Sequence, residues 1–226
     1  MNDKQLVAHY AAAQIMDGML VGLGTGSTAN YFITELARRQ NEENLKITAV
    51  SSSVASAIEA KKCGLPLLDF ENVNALDVYV DGADEVSPDL SLLKGQGADL
   101  VREKLLATAS KEFVVLVDSS KSVERIGQNF AIPIEVMPFA WQLVKKQLEI
   151  HGGQGGLRQN SDKSGLAISS FGSLILDMRF DAKMDAKQLN DVLNSISGIV
   201  EHGVFYALAT TVLIGKSGQV QTLQAA

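Results

Sequence analysis

Residues 76–84 read LDVYVDGAD, an apolar run that passes directly into two aspartates, Asp81 and Asp84. A short, continuous apolar run of this kind is typical of a strand buried on both faces in a parallel sheet. In open α/β sheets, ligands bind beyond the carboxyl ends of the strands. The run therefore predicts both a parallel sheet and a small-molecule site at the edge where the aspartates lie.

Short apolar runs alternate with helical patterns through the first 120 residues, as in strand–helix–strand units. Four of these runs are each followed by small or polar residues: a glycine–threonine loop, a serine run, the aspartate pair and an aspartate–serine loop. We call these segments, which follow the carboxyl ends of the strands, strand exits, and we expect them to lie at one edge of the sheet. The predicted strands are residues 20–23, 47–50, 65–68, 76–80 and 113–117.

The pattern changes near residue 132 to strand–helix–strand–strand–helix–strand, which is the order of a ferredoxin-like unit. Its predicted strands are 132–136, 157–159, 173–180 and 199–205, and its helices follow Pro138 and Asp185. Residues 210–215 and 219–223 predict a strand pair that returns to the first sheet. The predicted fold class is α/β: a Rossmann-like catalytic domain at residues 1–130 and 206–226, and a smaller ferredoxin-like α+β domain at 131–205. The loops 152–156 and 161–165 are predicted to be mobile.

Composition narrows the class of function. The chain has 226 residues, is 46% hydrophobic and carries a net charge of −6 without a basic block, which disfavours nucleic acid as a partner. No apolar run reaches the roughly 18 residues of a membrane span. Cys63 is the only cysteine, and the polar N-terminus lacks a secretion signal pattern, so a reducing, cytoplasmic location is expected. The three histidines are not spaced as metal ligands.

The loop Gly24-Thr25-Gly26-Ser27-Thr28 follows the first strand and opens a helix. It does not fit a dinucleotide fingerprint, because Ser27 stands where the third glycine is needed, and it lacks the lysine of a P-loop. A glycine-rich turn at a helix start presents backbone N–H groups to a phosphate or carboxylate. A tight turn with a serine cap explains the loop equally well. Lys121 is either a second contact for the same anion or an ordinary surface lysine.

The acidic residues also leave two interpretations open. Asp81 and Asp84 are either tuned acid–base groups at a strand end or turn residues, and Lys94 in the nearby loop favours function. Glu103 lies in a segment whose apolar residues surround the whole predicted helix, which predicts a buried helix. Its carboxylate is then either functional or paired within the protein.

Taken together, these motifs resemble the ribose-5-phosphate isomerase A family over essentially the whole chain. The resemblance rests on four motifs in order: residues 24–28, residues 81–85, residues 94–97 with 102–104, and residues 118–121. It implies interconversion of ribose 5-phosphate and ribulose 5-phosphate in the non-oxidative pentose phosphate pathway. It also implies no metal or organic cofactor, a sugar phosphate as the small-molecule partner, and a homodimer or homotetramer.

The resemblance also implies residue roles. Glu103 matches the base that moves a proton between two carbons through an enediolate, and Lys94 matches the cation beside the developing oxyanion. Asp81 and Asp84 match the acids that contact sugar hydroxyls and assist ring opening. The implied substrate-binding residues are Thr25, Gly26, Ser27, Thr28, Asp81, Gly82, Ala83, Asp84, Lys94, Gly95, Gln96, Gly97 and Lys121.

Two residues depart from the usual family pattern. Gln96 replaces a glycine and would be strained if the backbone there requires a positive φ. Asp99 adds a negative charge near the start of the catalytic helix, which the helix dipole favours. Two other classes of function remain as alternatives: a non-catalytic sugar-phosphate sensor, which does not need Glu103, and a nucleotide- or coenzyme A-dependent enzyme, which the glycine spacing disfavours.

Overall fold

A computed structural model describes residues 1–225 of the chain. Apolar residues at helical spacing and capping side chains account for several of the helices. Asn2, Ser53 and Asp185 each accept a hydrogen bond from the first turn of the helix that follows. The helices are α1 Asp3–Ala12, α2 Ser27–Glu43, α3 Val54–Lys62, α4 Leu100–Ala109, α5 Trp141–Ile150 and α6 Ala186–Ser195.

Most strands are short and rich in β-branched or leucine residues, as expected for buried sheets. In chain order they are β1 Leu20–Leu23, β2 Thr48–Ser51, β3 Leu76–Gly82, β4 Glu85–Val86, β5 Leu92–Leu93, β6 Ser110–Asp118, β7 Ile132–Val136, β8 Gln154–Leu157, β9 Leu174–Arg179, β10 Ile199–His202, β11 Val204–Phe205, β12 Thr211–Lys216 and β13 Gln219–Gln224.

The chain divides into two compact units. The first comprises Met1–Ala83, Arg102–Lys121 and the C-terminal segment from Leu208, and the second comprises Asp84–Val101 and Ser122–Ala207. The predicted domain limits of 1–130 with 206–226, and 131–205, stay a proposal.

The first unit contains a six-stranded sheet in the order β13-β12-β6-β3-β1-β2. All neighbouring pairs are parallel except β12 with β13. Parallel pairing places the carboxyl ends of β1, β2 and β3 at the same edge, and Leu23 is in register with Ser51 and Val80. Helices α1 and α2 contribute Val7, Phe32 and Leu36 to the core on this sheet. The expected Rossmann-like sheet is confirmed.

The second unit contains an antiparallel sheet in the order β10-β7-β9-β8, and a small sheet in the order β11-β5-β4. Ile132, Ile134 and Val136 alternate along β7 and pack in the same core as Val144 of α5 and Leu189 of α6. The β7-α5-β8-β9-α6-β10 order confirms the ferredoxin-like α+β prediction.

Several predicted elements were wrong in detail. Residues 65–68 form a single bridge, between Leu67 and Ala49, rather than a strand. Strand β8 starts at Gln154, so residues 154–156 belong to a strand and not to the loop predicted there. The predicted strand 199–205 is two strands in two sheets, separated at Gly203. Helix α1 and the two-residue strands β4 and β5 were not predicted.

Candidate active site

Three strand exits of the first unit meet in one hydrogen-bonded cluster. The Thr25 N–H donates to Asp81 Oδ1 at 3.0 Å, joining the exits of β1 and β3. Thr25 Oγ1 donates to Ser53 Oγ at 2.7 Å and lies 3.0 Å from Ser52 Oγ, which joins the exit of β2. The structure therefore brings together the glycine–threonine loop, the serine run and the first aspartate.

Asp81 is almost completely buried, at 1% exposure. Besides Thr25, the Gly82 N–H donates to Oδ1 at 2.7 Å and the Tyr79 hydroxyl donates to Oδ2. A Cβ atom on Gly24 would overlap the Asp81 carboxylate, so only glycine permits this approach of the two strand exits. The hydrogen bonds to Thr25 and Tyr79 link Asp81 to other residues in the cluster, which a simple turn residue does not require.

Tyr79 belongs to the same hydrogen-bonded cluster and was not predicted from the sequence. It is fully buried, stacks on Phe113 with ring centroids 5.0 Å apart, and precedes Asp81 by two residues on the same face of β3. Burial raises the pKa of its phenol well above the usual value, and the charges of Asp81 and Glu103 act in the same direction. The two-residue alternation of a strand was the signal available in the sequence.

Glu103 lies in the first turn of α4 and is 6% exposed. Its negative charge acts on the buried Tyr79 phenol. The sequence predicted a helix buried on all sides, and this was wrong: Leu105 is 51% exposed, because one face of α4 is left open in the single chain. Arg102, Glu103 and Lys104 are nevertheless all at least partly buried.

The start of α2 is capped differently from the serine-cap alternative. Gly26, with φ of +101°, occupies the cap position and supplies no side-chain hydrogen bond to the first turn. The Lys4 ammonium donates to Ser27 Oγ at 3.3 Å. Lys121 lies in the turn after β6, near Asp118. Burial raises the pKa of Asp118. Hydrogen bonds from Ser120 and the positive charges of Lys4 and Lys121 outweigh this effect, so the pKa lies below its usual value. Lys4 therefore lies near Ser27 and Asp118.

The second unit holds the remaining predicted residues. Lys94 follows β5 and is 4% exposed; its N–H donates to the Gly203 carbonyl at 2.9 Å, and its ammonium lies 5.6 Å from the Phe205 ring centroid. The Gln96 N–H faces Asp84 Oδ2 at 3.3 Å. The structure thus places Asp84 beside the Lys94 loop.

The condition for strain at Gln96 is not met. Positive φ values fall instead on Gly95, at +103°, and on Ala98, at +64°. Asp99 directly precedes α4, where the helix dipole favours a negative charge, and Ser170 Oγ donates to its Oδ1 at 2.5 Å. Both departures from the family pattern are therefore accommodated.

Within residues 1–225, no three acidic, histidine or cysteine side chains are grouped as metal ligands. Over the same residues, no helix is long and apolar enough to cross a membrane.

Comparison with known proteins agrees with the sequence resemblance. Residues 48–219 match the family model for ribose 5-phosphate isomerase A (phosphoriboisomerase A). The Thermosynechococcus vestitus ribose-5-phosphate isomerase A is 42% identical, over 96% of this chain and 94% of that protein. The Oceanobacillus iheyensis ribose-5-phosphate isomerase A 1 is 41% identical, over 96% of each chain.

Solved structures are equally similar. Ribose 5-phosphate isomerase A from Methanocaldococcus jannaschii superposes with a TM-score of 0.93 at 38% identity, covering 98% of both chains. A D-ribose-5-phosphate isomerase in complex with phospho-erythronic acid gives a TM-score of 0.94 at 37% identity, covering 99% of this chain and 100% of that one. Fold and relatives together define the protein as an aldose–ketose isomerase of the α/β class. It belongs to the ribose 5-phosphate isomerase A family, and it interconverts ribose 5-phosphate and ribulose 5-phosphate.

Proposed function

We propose that Glu103 is the base of this isomerisation and moves one proton between C2 and C1 of the open-chain sugar through an enediolate. The observation that carries the proposal is a carboxylate only 6% exposed in the first turn of α4, in a chain of this family. A carboxylate within hydrogen-bond reach of a C–H next to a carbonyl is a competent base. The same carboxylate serves both carbons, while the hydroxyl proton of O2 passes to O1, so that C2 becomes the carbonyl carbon and C1 the alcohol carbon.

Lys94 is proposed to stabilise the negative charge that develops on the carbonyl oxygen. The residue is only 4% exposed, and a preorganised cation in a buried position is worth far more than one in water. Asp81 and Asp84 are proposed to contact the sugar hydroxyls and to assist ring opening. The proposed reaction uses these side chains and no metal or organic cofactor.

The phosphate end of the substrate is assigned to the start of α2 and to two lysines. The first-turn N–H groups after Gly26, which receive no side-chain cap, carry the positive end of the helix dipole. Lys4, beside Ser27, and Lys121 supply further positive charge. Binding energy from this remote group holds the reacting carbons in place.

The ligand of one solved relative supports the proposed enediolate intermediate. Phospho-erythronic acid, bound in that relative, is a phosphorylated sugar acid whose carboxylate carries two coplanar oxygens, as an enediolate does. A site that stabilises the enediolate should also bind such a carboxylate tightly. We propose that this chain binds the same compound.

Glu103→Gln tests the proposed base. The amide keeps the shape of the side chain and cannot accept the proton, so we expect kcat to fall by roughly 10²–10⁴-fold with KM nearly unchanged. Ribulose 5-phosphate formation and exchange of the substrate proton with D₂O are the measurements. Glu112→Gln, an exposed carboxylate on β6, is the matched control and should be near normal. Near-normal turnover and exchange in Glu103→Gln would exclude the assignment.

The remaining expectations are also proposals. A homodimer or homotetramer, a cytoplasmic location and a place in the non-oxidative pentose phosphate pathway are supported by membership in the family.

A further inference from the structure

The loop that follows Lys94 has a conformation that needs outside support. Gly95 and Ala98 both have positive φ, and this region is costly for alanine. A long hydrogen bond, from the Ala98 N–H to the Gly95 carbonyl at 3.3 Å, closes the loop as a turn. A weak turn with an unfavourable residue holds its shape only when neighbouring groups fix it.

Arg158 supplies such a contact from the antiparallel sheet of the same unit. Its Nη1 donates to the Gly95 carbonyl at 3.0 Å and to the Gln96 carbonyl at 3.3 Å. The residue directly follows β8, 62 positions further along the chain than Gln96. Two successive peptide groups of the loop are therefore bound by one guanidinium.

The guanidinium is itself held in place. Its Nε and Nη2 donate to the two carboxylate oxygens of Asp177, at 2.8 and 2.6 Å. The Arg158 side chain is 14% exposed, and Asp177, whose side chain is 31% exposed, lies on β9, so the guanidinium is mostly buried and is fixed to a sheet. A two-pronged arginine–carboxylate pair fixes direction as well as distance.

Peptide geometry gives this contact a consequence for the loop. In a trans peptide the C=O and the following N–H point in opposite directions. Because the Gly95 and Gln96 carbonyls point to Arg158, the N–H groups of Gln96 and Gly97 point away from it. The Gln96 N–H indeed faces Asp84 Oδ2.

We propose that Arg158 is a positioning residue for catalysis: by holding the Gln96 carbonyl, it aims the backbone N–H group of Gly97 at the oxygen that becomes negative in the enediolate, while the Gln96 N–H donates to Asp84. The inference rests on the proposed function of the Lys94 loop and adds one backbone donor to Lys94. If Arg158 served only to join β8 to β9, its bonds to Asp177 would be sufficient. The two bonds to the loop carbonyls are what distinguish a positioning role.

The test compares Arg158→Lys and Arg158→Met with Arg179→Met. Lysine keeps the charge but cannot hold Asp177 and both carbonyls at once, and methionine removes every donor. Arg179 is a matched control, because it also donates to a backbone carbonyl, that of Asn129, from the same sheet. Each variant is assayed for kcat and KM with ribose 5-phosphate and for binding of phospho-erythronic acid.

Loss of an oriented donor acts on the transition state, so kcat should fall by roughly 10–100-fold in both Arg158 variants while KM changes less than about threefold. Affinity for phospho-erythronic acid should fall by about the same factor as kcat/KM, because its carboxylate resembles the enediolate. Arg179→Met should stay within about twofold of the parent in all three quantities.

Three results would overturn the inference: kcat within about twofold of the parent in both Arg158 variants, a change in KM alone, or loss of folding in both. The last would show that the ion pair serves stability. Glu103→Gln, measured in parallel, separates the two proposals. If it loses turnover while the Arg158 variants do not, the positioning role fails and the base stands; if it keeps turnover, the proposed base fails instead.

Discussion

Asp81 and Tyr79 illustrate how single residues are fixed in this protein. Three donors, the Thr25 N–H, the Gly82 N–H and the Tyr79 hydroxyl, leave the Asp81 carboxylate little rotational freedom. Because the Tyr79 pKa lies well above 10, the phenol keeps its proton and remains a donor at physiological pH. A buried phenol that stays protonated is a stable support for Asp81, the acid proposed to contact the substrate.

Glu135 is another buried carboxyl, outside the proposed machinery, and it makes stability depend on pH. It is fully buried on β7. Burial raises the pKa of its carboxyl, and the negative charges of Glu201 on the adjacent β10 and of Asp99 raise it further. Contacts from Ser169 and the Leu100 N–H lower the pKa, but the raising effects are larger. The folded state therefore keeps a proton that the unfolded state loses above about pH 4.5. Stability from this group is complete below that pH and is lost as pH rises towards the raised pKa.

We expect Glu135→Gln to remove this loss of stability. The free energy of unfolding of the variant, minus that of the parent, should be larger at pH 8 than at pH 4. The difference should be on the order of 1 kcal/mol for each unit by which the pKa is raised. Thermal unfolding at the two pH values measures the difference. Glu124→Gln, an exposed carboxylate of the same unit, should show no such pH-dependent gain. An equal effect of Glu135→Gln at both pH values would contradict the raised pKa.

At the scale of elements, the exits of β1 and β3 approach each other only because Gly24 has no side chain. Gly24→Ala should displace the Asp81 carboxylate and lower kcat/KM by roughly tenfold to a hundredfold, since small misplacements of a site are costly. Overpacking should also cost about 1–3 kcal/mol of stability. Steady-state kinetics and urea unfolding provide the two measurements.

Gly156→Ala is the control for this substitution. Gly156 lies on β8, its Cβ would meet no atom within 4 Å, and its φ is not in the positive region. We expect parent-like kinetics and stability. If Gly24→Ala behaves in the same way, the close approach of the two strand exits does not constrain Asp81.

Elements with strong periodicity were predictable, and those without it were not. The segments that form β1, β3 and β7 are apolar and bounded by turn residues, so these strands could be predicted from the sequence. Strands β4 and β5 have two residues each and show no period. Helix α1 begins with polar residues, and its buried face consists mostly of small alanine side chains, which give a weak helical period in the sequence. Residues 65–68 have strand composition but lack a neighbouring strand along their length.

Assembly is a prediction at the scale of the whole molecule. As a homodimer or homotetramer, the protein should elute with a light-scattering mass of two or four times the chain mass of 24.2 kDa. The mass should persist over a tenfold dilution if the assembly is stable. A mass equal to that of one chain at micromolar concentration would refute the expectation.

The candidate site was predictable only in part, because some of its contacts depend on how the whole chain folds. The four motifs could be recognised because each is contiguous in the sequence, and parallel strands bring their exits together. Arg158 contacts Gln96 from 62 positions away, and no local pattern indicates that pairing. Contacts of this kind depend on tertiary packing, which one sequence without a structure does not supply.

The order of strands in the first sheet has a consequence for biosynthesis. Strand β6 pairs with β12, which is made only after the whole ferredoxin-like segment, whereas β7 to β10 are contiguous in the chain. During translation, the antiparallel sheet has all its strands while the parallel sheet still presents an unpaired edge at β6. Such edges invite pairing with other chains. The nascent chain is thus most vulnerable to aggregation just before β12 is added.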